Sequence, residues 1–154
     1  MKEIKSRLLI LTVLLATVGI VYAATTATLT WTAPTLNCDG STATGATAIT
    51  GYKVYSGTVG RVAAGLPATS SGGCSDVSQV KPSDPKVAQA YNDGSVLVTA
   101  ATLSKALTMP DDGLKHYFAV TAISAQGESN LTNEVSKQAA NPPLPQAPGN
   151  LTIN

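Results

Sequence analysis

HYFAVTAISAQGESNLTNEVS, residues His116–Ser136, is the stretch on which the fold turns. In its first half His116, Phe118, Val120 and Ala122 fall on one face, and Tyr117, Ala119, Thr121 and Ile123 on the other, because strand side chains alternate with period two. Both faces are largely apolar, which suits a central strand covered on two sides. Gln126-Gly127-Glu128 is turn chemistry, and Asn130 to Gln138 returns as a hairpin partner. Asp111-Asp112-Gly113 is the turn that leads in.

Residues 1–23 read as a secretory signal peptide. Lys2, Lys5 and Arg7 precede the apolar run Leu8 to Val21, and Val21-Tyr22-Ala23 supplies small residues at the last and third-last positions. The run is short for a span of ~20 residues, and an uncleaved anchor is the alternative, the only expected route to a membrane. The expected location is therefore secreted, extracellular or cell-surface, or the periplasm. Beyond residue 23 the chain holds seven Lys plus Arg against eight Asp plus Glu, about −1. That balance gives no electrostatic reason to expect nucleic acid or an anionic membrane as partner.

The remaining 131 residues suit one domain. Ala, Thr, Ser, Val and Gly dominate, all nine Pro and twelve of the chain's thirteen Gly punctuate short β-prone runs, and no long helical period appears. The class is all-β, sandwich or barrel. Cys38 and Cys74 are the two cysteines, and after export they are expected to pair, closing a loop of 37 residues. Metal or redox chemistry would need CxxC spacing or clustered His, and neither is present.

Working outward, Ala27, Leu29 and Trp31 share one face of the strand Ala27–Trp31, and Pro34 ends it. Leu36 to Ala46 is a loop rich in Asn, Asp, Gly, Ser and Thr. Ile49 to Ser56 is a strand with Tyr52 and Val54 inward and Lys53 and Tyr55 on a polar outer face. Residues 57–94 read as an insertion that holds Val59 to Leu66, the SSGGC turn and a piece with Pro82 and Pro85 around Asp84, with one or two short strands and a helical turn near Lys86 to Tyr91. Ser95 to Thr108 makes two strand pieces or one bent strand.

ATLTW, then GYKVYSG, then LTMPDDGLKHYFAVTAISAQGESNLTNEVS, in that order, resemble a fibronectin type III domain of the short exported bacterial kind. The resemblance spans about Thr26 to Lys137 without the insertion. It rests on Trp31 in the second family strand, Tyr52 and Val54 in the third, and FAVTA with its ESNLTNEVS return. It implies a two-sheet Greek-key (immunoglobulin-like) sandwich whose core holds Leu29, Trp31, Tyr52, Val54, Leu107, Phe118, Val120 and Val135. One departure is His116, which stands where the family places its corner tyrosine, with Tyr117 one step out of phase.

The other departure is the first strand, for which cleavage after Ala23 leaves no sequence at the front. An A-strand-like segment occurs instead at the far end, in PQAPGNLTIN. The expected organisation is a signal at 1–23, a sandwich at 24–139, a Pro-rich spacer at 140–148 and a strand at 149–154. A sandwich without its first strand has an open edge beside the Trp31 strand, a template for another strand. Asn150, Leu151, Thr152 and Ile153 could fill the edge of a second copy, giving a head-to-tail filament. A tail packed in cis, or a remnant of a tandem array, is the alternative.

No catalytic residue, cofactor site or metal site is expected. His116 is the only His and sits in the pattern beside Phe118, so a structural role is expected. Asp111 and Asp112 read as turn formers, and GxSxG, P-loop, HExxH and dinucleotide fingerprints are absent. The expectation is a non-enzymatic structural or interaction module whose partner is itself or other envelope proteins. The alternative is a carbohydrate-associated accessory module, for which polysaccharide would have to stack on Tyr55, Tyr91 and Tyr117.

Overall fold

The computed structural model describes residues 24–68 and 79–141. The expectations for the leader, for Cys74, for the spacer and for residues 149–154 lie outside the described residues. Among the described residues seven strands form two antiparallel sheets, with one short α-helix and a 3-10 turn at Gly45–Thr47. In chain order they are β1 (Thr25–Thr30), β2 (Gly51–Gly57), α1 (Pro85–Ala90), β3 (Gly94–Thr99), β4 (Ser104–Met109), β5 (Lys115–Ser124), β6 (Gly127–Glu128) and β7 (Val135–Gln138).

β1 pairs with β4, Thr25 opposite Met109 and Thr30 opposite Ser104. The larger sheet runs β3-β2-β5, with β6 and β7 sharing the far edge of β5. Residues 94–109 therefore form two strands in different sheets. Thr102 N to Thr99 O at 3.0 Å closes the turn between them.

The inward alternation read from the sequence holds. Ala27, Met109 and Phe118 are buried together, with Leu29 and Leu107 packed against them. Tyr52, Val54 and Val120 form the adjoining cluster, flanked by Leu29, Trp31 and Leu107. Trp31 meets Tyr52 edge-on, ring centroids 5.3 Å apart, a favoured geometry for quadrupolar rings.

The outer face of β2 is not polar and open as expected. Tyr55 is 7 % exposed, because the insertion folds over it. Leu66, Val80, Val87, Tyr91 and Leu131 join Tyr55 and Ala119 in a second apolar layer outside the larger sheet. Around Val59 to Leu66 the chain makes turns. The helical turn is α1: Pro85 is pre-set for a first helical position, and Asp84 accepts from Lys86 N at 2.9 Å. A Cβ at Gly57 would lie 2.5 Å from Tyr91 Cα, so only glycine lets the insertion lie this close to β2.

The returning strand is broken. Ser129 N and Thr132 N still bond Ala122 O and Val120 O at 2.9 Å, while Leu131 is turned out to bond Val80 O and is fully buried in the outer layer. Ser129 Oγ and Thr132 Oγ1 accept from the β5 amides of Ala122 and Val120, the place a ladder carbonyl would fill. Val135, expected in the core, is 46 % exposed. Among the described residues nothing covers it, and it lines the groove described below.

Candidate strand-acceptor groove

Backbone geometry fixes which β1 groups are free. Trp31 N donates to Leu103 O on the β4 side, and Lys137 Nζ donates to Thr26 O from the opposite side. Main-chain groups alternate along a strand, so the N–H and C=O of Thr26, Thr28 and Thr30 face away from β4. Among the described residues no strand pairs with that edge. The side chains of these three threonines are exposed, and Ala27 is buried.

Beside the edge lies a groove of about 380 Å³, walled by β1 from Ala27 to Thr30 and by Val135 to Lys137, with Phe118 on its floor. A second cavity of about 460 Å³ follows along the same three segments, lined by Trp31, Val120, Ala122 and Thr132, and widening at the pole against Pro34, Leu36 and Ile49. The first traces the space a strand paired to β1 would cover, and the second opens past the Trp31 end of β1.

The two poles differ. At the Thr25 pole Asp111 Oδ1 accepts from Thr25 N and Oγ1, and Ala140 N donates to Thr25 Oγ1 at 3.1 Å. The last described residues thus leave the sandwich at the start of β1. Here His116 is 2 % exposed, with Nε2 3.2 Å from Asp112 Oδ2 and Nδ1 3.4 Å from Asp93 Oδ2. The imidazole ties the β4–β5 turn to the turn before β3, at the position where the resemblance expects a corner tyrosine. Leu114 N, bonded to Asp112, and then His116 hold the Asp112 carboxyl below its ordinary value.

At the Trp31 pole Asn37, Asp39 and Ser41 shape the loop through mutual side-chain bonds, with Leu36 bridged to Thr42. Cys38 lies in this loop and lines the cavity at this pole. Trp31 Nε1 is shielded from water and has no acceptor. A buried donor left unpaired costs about 1–3 kcal/mol, so this one marks a place where something else can bind. Nothing in the sequence pointed to it.

The tyrosines expected to stack on sugar are not presented. Tyr55 and Tyr91 are buried, and Tyr117 is half-buried with Lys115 over its ring. Tyr91 instead receives Arg61 Nε at 2.8 Å, and Arg61 also donates to Thr132 O. This buried pair, together with Glu134 bonded to Arg61 N, clamps the insertion to the returning chain.

Among the described residues no group of three or more His, Cys, Asp or Glu could hold a metal ion, and no helix is long and apolar enough to cross a membrane. Asn150, Leu151, Thr152 and Ile153 lie outside the described residues. No family model, curated protein or solved structure matches the chain.

Proposed function

We propose that this chain is an exported, non-enzymatic structural module that joins copies of itself head to tail, residues 149–154 of one copy adding to the open β1 edge of the next. The observation that carries the reading is the edge of β1 that no strand among the described residues pairs with, above a groove floored by Phe118. The order of the strands supports a fibronectin type III-like topology without its first strand. Alternating Leu151 and Ile153 suit a groove that takes one face of a strand.

Direction favours a second copy over self-insertion. β7 runs opposite to β1, with Lys137 beside Thr26 and Ala140 beside Thr25, so the chain leaves at the Thr25 pole. A strand antiparallel to β1 must begin at the Trp31 pole, ~20 Å away for six residues. Residues 142–148 in extended polyproline form reach ~22 Å, so turning back around the domain would use their whole length. A following copy receives the same segment without reversal.

The test is the size of the purified exported protein by light scattering, with negative-stain microscopy. The full chain is expected to form concentration-dependent linear assemblies, and deletion of Gly149–Asn154 to leave monomers. Two identical monomers would overturn the reading.

A further inference from the structure

We propose that the cavity at the Trp31 pole receives the proline-rich spacer, residues 142–148, of the preceding copy. The inference rests on the strand-donation reading and states what the same joint does with the residues leading into the donor strand. A strand antiparallel to β1 starts at the Trp31 end, so the residues just before it must cross this pole.

The chemistry of pole and spacer is complementary. The cavity of about 460 Å³ is lined by the edge-to-face pair Trp31 and Tyr52 with Pro34, Leu36 and Ile49. Leu36 is left 58 % exposed on its lip. Polyproline II segments dock in aromatic-lined grooves because their rings are apolar, their shape is preformed and their carbonyls carry no internal hydrogen bonds. In PPLPQAP only Leu144, Gln146 and Ala147 own an N–H, whereas every residue offers a carbonyl. Trp31 Nε1 is a donor with no acceptor. An acceptor-rich, donor-poor segment is the partner such a group lacks.

Trp31 is the only tryptophan, so its emission reports on this pole alone. Full-length exported protein, diluted below its association range, is titrated with three synthetic peptides: residues 141–154, residues 149–154, and 141–154 with its four prolines changed to alanine. The long peptide is expected to bind about tenfold or more tighter than the short one and to shift Trp31 emission, and the alanine peptide to fall toward the short one. Trp31→Phe, which removes the N–H and with it the emission, is followed by calorimetry and is expected to weaken the long peptide about threefold to tenfold and leave the short one unchanged. Leu36→Ser, at an exposed position with little bearing on folding, is expected to do the same without loss of stability.

Equal affinities for long and short peptides with unmoved Trp31 emission would overturn the spacer site and leave strand donation standing. Binding of neither peptide would overturn both.

Discussion

Lys137 of β7 donates from Nζ to the main-chain carbonyl of Thr26 on β1, a bond that spans the mouth of the groove. A lysine laid on an open strand edge is a common protection against unwanted pairing, because its charge must be moved before another strand can add. Here it occupies one of the carbonyls that a donor strand would use.

Lys137→Met keeps most of the stem and removes the donor. It is expected to strengthen the head-to-tail joint about twofold to tenfold, the equivalent of one exposed hydrogen bond that no longer has to break. Light scattering at matched concentrations checks it. Unchanged or weaker association would place the joint elsewhere than the β1 edge.

The inner face of the sandwich was legible because alternation is a local property. Ala27, Leu29 and Trp31, Tyr52 and Val54, Phe118 and Val120 each repeat every second residue, and each set turns toward the other sheet. The outer layer was not legible, because it is assembled from residues without any common period. Arg61, Val80, Val87, Tyr91 and Leu131 come from turns, a six-residue helix and a bulge, and only tertiary contact unites them. Tyr55 was misread for the same reason: a strand shows that it has two faces, not what will cover the second.

Val135 shows the converse limit. Its phase along the returning strand suits the interior, but burial needs an opposite wall, and β1 stops short of it. The pole cavity and the orphan Trp31 N–H depend on how the Cys38 loop folds and had no signal in sequence.

His116 sits between Asp112 and Asp93, and one of these carboxylates sets an acid limit on stability. The Asp112 carboxyl titrates below its ordinary value in the fold, chiefly through the Leu114 amide and then through His116. A carboxylate depressed in the folded state contributes stability that is present above its unfolded pKa of about 3.9 and is lost as pH falls through the lower folded value. Thermal melts between pH 2 and 6 are expected to show an acid limb that flattens in Asp112→Asn. His116→Ala removes a buried ring and its bonds, and is expected to cost about 2–4 kcal/mol near neutral pH. A loss below 1 kcal/mol would mean that the corner does not hold the turns.

Arg61 is fully buried, and its bonds to Tyr91 and Thr132 O fasten the insertion over β2 and β5. Arg61→Ala leaves the Tyr91 hydroxyl and the Thr132 carbonyl without their buried donor and opens a cavity, so it is expected to destabilise by about 3–5 kcal/mol, read from urea unfolding. Tyr91→Phe is the gentler change. Burial, first among the causes, raises the Tyr91 phenol well above its ordinary value. A group whose folded pKa is raised contributes stability that is complete below its unfolded value near 10 and is lost as pH climbs above it. Stability of the parent chain is therefore expected to fall more steeply between pH 9.5 and 11 than that of Tyr91→Phe. Parallel curves would show that Tyr91 is not protected from ionisation.

Cys38 lies in the loop that shapes the Trp31 pole, and it is expected to pair with Cys74, the only other cysteine in the chain. In the chain-entropy account, closing a loop of this size stabilises by ~3–4 kcal/mol, mostly by restricting the unfolded chain. Cys38→Ser and Cys74→Ser should then each lower the urea midpoint by the same amount, and the double substitution by no more than either one. That non-additivity distinguishes a shared bond from two separate packing losses, which would sum. Because Trp31 and Cys38 line the same cavity, reduction should also alter the Trp31 emission and weaken any peptide that needs the pole. A peptide confined to the β1 edge, held by Thr26, Thr28 and Thr30, should be unaffected.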